Sequence, residues 1–293
     1  MKLHVFAALG FVLFAIFVVW FAFYDDKKGR KTPQLKGKIY GEENQTFLPY
    51  PSVDWSNPTE PALSRFLFST AWNATSAKLT TQRVPPPPGF DVVQEIKPNF
   101  STSQEFETYA LFLHSSSKNV SIISFGGSET AIDWITDVTY DQVEPTKLRV
   151  SSAGLAVHQG FYDAYTSVQQ QLIGLTRQYP GDLYITGYSL GGGMAQVAIL
   201  DFSTNTNLKK SCTFAAPRCL SPSASQFLTH LEISRYANSE DIVPELPPSI
   251  ASEIWDLEKT LFYEHVGLNH TFTSNLLSVL ANHSTAYKEY LGF

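Results

Sequence analysis

The chain has 293 residues, 43% apolar and 14% aromatic, enough for one large domain or two small ones around a sizeable core. Its net charge of −6 offers no basic footprint for nucleic acid, and its two cysteines are too few for a disulfide framework. Cys212 and Cys219 can pair in an oxidising compartment, and a free, buried pair is the equal alternative.

From Leu3 to Tyr24 the chain carries no charged residue and only His4 interrupts the apolar run. As a helix this stretch spans about 33 Å, against a hydrocarbon core of about 30 Å. It is longer than the apolar core of most signal peptides, and no small-x-small cleavage site follows it. Residues 1–24 therefore read as an uncleaved transmembrane signal-anchor, with secretion after cleavage as the alternative. Lys27, Lys28, Arg30, Lys31, Lys36 and Lys38 follow it, which by the positive-inside rule puts the rest of the chain in the cytosol. Six N-x-[S/T] sequons, at Asn44, Asn73, Asn99, Asn119, Asn269 and Asn282, argue the opposite. Long domains translocate largely regardless of flanking charge, so a lumenal or extracellular domain with these asparagines as glycosylation candidates is expected.

Residues 25–58 are polar, basic and then proline-punctuated, a juxtamembrane linker leading to a domain over 59–293. A first helix is expected over Glu60–Leu79, and Pro85–Pro88 reads as a rigid polyproline connector. Three short runs rich in Val, Ile and Phe follow as strands: Phe90–Ile96, Tyr109–His114 and Val120–Phe125. Phe161, Tyr165, Val168, Leu172 and Leu175 recur at helical spacing until Tyr179-Pro180-Gly181 stops the helix. Strands at Leu183–Thr186, Cys212–Ala215 and Ile233–Ala237 complete an alternating α/β series.

Between the strand at Leu183 and a helix apolar on nearly every side lies Gly187-Tyr188-Ser189-Leu190-Gly191. A G-x-S-x-G in that setting is a nucleophile elbow: the glycines allow a tight turn, and the turn lifts the Ser189 hydroxyl out of the sheet edge. A glycine-rich helix start with an ordinary serine is the bland alternative. A serine nucleophile needs a general base and an orienting acid, and in α/β-hydrolases the order is Ser, then Asp or Glu, then His.

The chain resembles the class 3 lipases of the α/β-hydrolase fold, the group that includes the filamentous-fungal triacylglycerol lipases. The matching blocks are Ile122–Ser128, Val157–Phe161, the elbow, Thr213–Arg218, Asn238–Pro244 and His265-Val266-Gly267, in family order. The resemblance implies a central, mostly parallel sheet flanked by helices, with a short lid helix. It implies Asp241 as the acid and His283 as the base. His265 lies in a block that is structural in the family, and His270 sits in a sequon on a polar turn. Glu240 reads as a solvated neighbour of Asp241, and His158 as a structural residue. The Asn282 sequon adjoins the base, so it is either unglycosylated or carries a glycan that points away. The oxyanion donors would be the Leu190 N–H and the loop residue Ser128. The family commonly has Arg where this chain has Gly126, and His where it has Tyr188.

After Ser128, Ala131, Trp134, Ile135 and Val138 fall on one side of a helix and Glu129, Asp133 and Asp137 on the other. The segment resembles the lid of fungal lipases; an ordinary amphipathic surface helix is the alternative. The expected activity is hydrolysis of glycerolipid acyl esters at a membrane or emulsion interface, without metal or other cofactor. Phospholipid, galactolipid and feruloyl-type esters stay open as substrates, and a non-catalytic binding protein on the same fold is disfavoured by the ordered Ser, Asp and His.

Overall fold

The computed structural model describes residues 46–80, 82–97, 110–127, 140–252 and 260–293. The first half gives α1 (Ala62–Thr80), β1 (Asp91–Ile96), β2 (Ala110–Ser115), β3 (Val120–Phe125), β4 (Gln142–Val143), β5 (Val157–His158) and α2 (Gln159–Gln178). Then come β6 (Asp182–Tyr188), α3 (Leu190–Asp201), β7 (Leu208–Phe214), β8 (Glu232–Asn238), β9 (Ile250–Ser252), β10 (Thr260–Phe262), β11 (Leu268–Phe272), α4 (Val279–His283) and α5 (Thr285–Tyr290).

The main sheet has seven strands in the order β1-β2-β3-β6-β7-β8-β11. The β1–β2 and β2–β3 pairs are antiparallel, and every pair from β3 onward is parallel. Parallel strands covered on both faces are buried on both, and this is why Val120–Phe125 and Leu183–Thr186 do not read as strict apolar–polar alternations. Their side chains divide by parity. Ile123, Phe125 and Ile185 join the core formed with α2 and α3, whereas Ile122, Tyr184 and Tyr188 join the core formed with α1. Every residue of α3 is buried, as its all-round apolar composition requires. The helix α2 presents one face, and Phe161, Tyr165, Val168, Leu172 and Leu175 are all on it.

Two readings of the sequence change here. Residues 46–58, assigned to the linker, are packed onto the domain: Phe47, Leu48, Tyr50, Val53 and Trp55 lie against the α1-side core. The ring of Trp55 meets Phe66, Phe90 and Tyr184 at 5.2, 5.4 and 5.4 Å. The prolines that suggested a linker give an extended strap, and its backbone bonds go to α1 side chains, with the Leu48 N–H donating to Asn73 Oδ1 at 2.6 Å. His270, assigned to a polar turn, is in β11, half-buried and stacked on Tyr236 at 4.6 Å. Leu268–Phe272 is an edge strand beside β8, so it carries no apolar run to announce it.

The anchor expected at Leu3–Tyr24 lies outside the described residues, as do Asn44 and Asn99. Among the described residues no helix is long and apolar enough to cross a membrane. Of the other sequons, Asn119 and Asn269 are exposed. Asn73 and Asn282 are corrected as glycosylation candidates, because both are buried and their amides are engaged. Asn73 Nδ2 donates to Leu48 O at 2.9 Å, and Asn282 Nδ2 to Glu240 O at 3.1 Å, so a glycan would displace both contacts. Cys212 and Cys219 are free thiols, both buried, and burial raises both above the ordinary range.

Candidate active site

The turn between β6 and α3 determines the position of Ser189. A parallel strand entering a helix at once must reverse direction in one residue, and Ser189 does so at φ 57 and ψ −129. An L-residue with positive φ is strained. The strain is held by the Ser189 N–H, which donates to Phe214 O at 2.9 Å. The flanking glycines are required sterically: a Cβ at Gly187 would lie 2.2 Å from Gly191 O, and one at Gly191 would lie 2.4 Å from Phe125 O.

Two loops bring the partners. Asp241 follows β8, and His283 ends α4 after β11, so both arrive at the carboxyl edge of the parallel strands beside Ser189. His283 Nδ1 lies 2.8 Å from Asp241 Oδ2, and His283 Nε2 lies 2.8 Å from Ser189 Oγ. An ionised carboxylate only accepts, which assigns the ring proton to Nδ1 and leaves Nε2 to accept from the serine hydroxyl. All three side chains are buried, with Ser189 0%, Asp241 2% and His283 3% exposed.

The acid is itself held. The Val243 N–H donates to Asp241 Oδ1 at 3.0 Å, and the Tyr287 hydroxyl donates to Oδ2 at 2.8 Å. That hydroxyl in turn accepts from the Asn238 N–H at 2.9 Å. Burial, and then the Asp241 charge, raise the Tyr287 phenol well above its ordinary value of 10, so it stays a donor. Asn238 ties the two loops together, its Nδ2 donating to Ser274 O and Asn282 O at 2.9 and 3.0 Å.

Leu190 is the first residue of α3, where a backbone N–H has no acceptor within the helix. Ser128 lies outside the described residues, as do the lid residues Ala131, Trp134, Ile135 and Val138. The loop leading to Ser128 is described as far as Gly127. Its N–H donates to Thr75 Oγ1 at 2.8 Å, and a Cβ on Gly126 would lie 2.9 Å from the α1 backbone at Ala74. The loop is therefore braced by α1 in direct backbone contact. Tyr188 is fully buried, its hydroxyl donates to His283 O, and its ring stacks on the imidazole at 5.4 Å and 29°.

The other candidates take structural places. His265 Nε2 donates to Pro244 O at 2.7 Å. His158 Nδ1 accepts from the Gly160 N–H at 3.1 Å, capping α2. Glu240 is exposed, accepting from Asn275 Nδ2 at 3.2 Å. Sequence reasoning gave no role to Thr75, Asn238 or Tyr287, although Asn238 opens a matched block. No group of three or more metal-ligating side chains occurs among the described residues.

Residues 122–250 match the family model described as lipase (class 3). A lipase of Rhizomucor miehei is 32% identical over 156 residues, 49% of this chain and 42% of that protein. The chloroplastic phospholipase A(1) DAD1 of Arabidopsis thaliana is 28% identical over 148 residues, 43% of this chain and 33% of that protein. The chain thus spans less than half the length of these curated relatives. Among solved structures, the triacylglyceride lipase of Rhizomucor miehei superposes with a TM-score of 0.57 at 24% identity, over 73% of this chain and 80% of that one. At that identity the likeness concerns the fold.

Proposed function

From the match of residues 122–250 to the class 3 lipase model, we propose that the chain is a serine hydrolase cleaving acyl esters of glycerolipids. The observation that carries the reading is the buried relay from Ser189 through His283 to Asp241, with both hydrogen bonds at 2.8 Å. Ser189 Oγ attacks the ester carbonyl while His283 Nε2 takes its proton. Asp241 holds the imidazole in the productive tautomer and stabilises the imidazolium that forms. The Leu190 N–H and Ser128 stabilise the oxyanion. His283 then protonates the departing alcohol, and water deacylates the enzyme by the same route.

In this reading Ala131, Trp134, Ile135 and Val138 form the apolar face of a lid that turns onto lipid. The Leu3–Tyr24 helix anchors a lumenal or extracellular domain, with Asn44, Asn99 and the exposed Asn119 and Asn269 as its glycosylation candidates. Similarity to a phospholipase A(1) supports phospholipids as the second substrate class.

The test compares the full chain in mixed micelles with its Ser189→Ala variant on a medium-chain triglyceride, above and below the substrate's solubility limit. A rate jump at the interface that the variant loses entirely is expected. Ser189-dependent hydrolysis without a jump indicates a soluble-ester esterase. Inactivity of folded protein on triglyceride, phospholipid and soluble esters alike would overturn the catalytic reading.

A further inference from the structure

The residue before the nucleophile departs from the family's commoner histidine, and the structure gives that departure a purpose. Tyr188 is the last residue of β6 and is 0% exposed. Its side chain leaves the sheet on the α1 side, where Trp72 and Phe68 enclose the ring at 5.3 and 6.1 Å. Tyr287, the residue that holds Asp241, closes a third side at 6.3 Å. The remaining face lies on the His283 imidazole at 5.4 Å and 29°, and the hydroxyl donates to the His283 main-chain carbonyl.

His283 is the last residue of α4, a helix of five residues, and its backbone breaks helical geometry at Ser284, φ −126 and ψ −73. A carbonyl at a helix end has no partner within the helix, and a buried unpaired carbonyl is costly. A helix this short does not fix its own last residue. The short helix alone therefore does not fix the general base, 94 residues from the serine it serves; Asn238 and Glu240 hold the neighbouring Asn282, and the carbonyl and ring of His283 itself are met by Tyr188.

We infer that Tyr188 is a positioning residue for the general base, tying the main chain and ring face of His283 to the strand end that carries Ser189. Consecutive residues then hold the base: Ser189 meets Nε2, and Tyr188 meets the carbonyl and the ring. Asp241 at Nδ1 supplies the third anchor, and together they leave the imidazole neither rotation nor translation relative to the serine hydroxyl. The stacked ring also presents an electron-rich face to the imidazolium that forms as Ser189 attacks. The inference rests on the serine-hydrolase reading above, but its test has a readout that does not require turnover.

Tyr188→Phe removes the hydroxyl and keeps the ring. On a soluble short-chain ester, kcat should fall about tenfold with KM within about twofold, the pattern of a lost transition-state interaction. Inactivation of Ser189 by a fluorophosphonate should slow in parallel. The downfield proton resonance of His283 Nδ1, bonded to Asp241, should shift or broaden, as a residue that merely filled the core would not cause. Fluorotyrosine at 188, a stronger donor of nearly the same shape, should move that resonance without loss of fold, and it decides the matter if the Phe variant does not fold. If the wild type hydrolyses no ester, the catalytic reading fails while the resonance still reports on Tyr188. If the Phe or fluorotyrosine protein is folded and its Nδ1 resonance, inactivation rate and kcat match wild type, the inference is overturned.

Discussion

The carboxylate of Asp241 shows how few atoms set the site. Its two oxygens receive Val243 N–H, Tyr287 O–H and His283 Nδ1–H, so the charge is buried but fully partnered. Tyr287→Phe strips one donor from the carboxylate and leaves the buried Asn238 N–H without its acceptor. We expect a stability loss of about 1–3 kcal/mol in urea unfolding. A drop in kcat of about three- to tenfold should accompany it, since the acid is less firmly held. Ser189 could be read from the elbow pattern and Asp241 lies in a matched block, whereas His283 lies in none and was expected only from the family resemblance. Tyr287 and Thr75 were not legible, because their partners lie 46 and 52 residues away, and nothing local in a helix reveals which loop it braces.

At the scale of elements, the elbow is a tight junction, with Gly187 and Gly191 facing each other across the turn. Gly187→Ala places a Cβ 2.2 Å from a backbone oxygen that cannot move without carrying α3 with it. We expect more than about 3 kcal/mol of destabilisation, read as loss of cooperative unfolding or of soluble expression; a stable, active variant would contradict the geometry. The central strands and the helices α2 and α3 could be read from the sequence because burial on both faces, or on one stripe, leaves a periodic trace. The edge strand β11 leaves none, with Leu268 and Asn269 exposed along it. The strap over residues 46–58 misled for a different reason. Extended, proline-rich chain is a linker or a packed strap according to whether Trp55 and its neighbours find a core, and only the fold decides that.

For the molecule as a whole, the half-buried His265 makes stability depend on pH. Burial first, and then the nearby Arg235 charge, hold its imidazole down, to about 3 from an ordinary 6.5. The unfolded chain therefore takes up a proton below pH 6.5 that the folded chain refuses until about pH 3. The stabilisation is complete above pH 6.5 and is lost as pH falls, at up to about 1.4 kcal/mol per unit. His265→Gln abolishes this contribution. The difference in unfolding free energy between pH 6.5 and pH 4.5 should shrink by about 2 kcal/mol relative to wild type. An unchanged difference would mean that His265 is protonated in the folded state.

The direct seating of Gly126 on the α1 backbone at Ala74 also limits how this sequence can be engineered. Replacing residues by the ones most frequent among relatives commonly raises stability. Here an arginine at 126, the residue the family resemblance leads one to expect, would need the space that α1 already occupies, and the Thr75 brace on Gly127 would be pushed aside with it. Gly126 and the Ala74–Thr75 turn of α1 thus form one packing unit: a substitution at one needs a matching change at the other, and position-by-position averaging would dismantle a support that two distant segments make together.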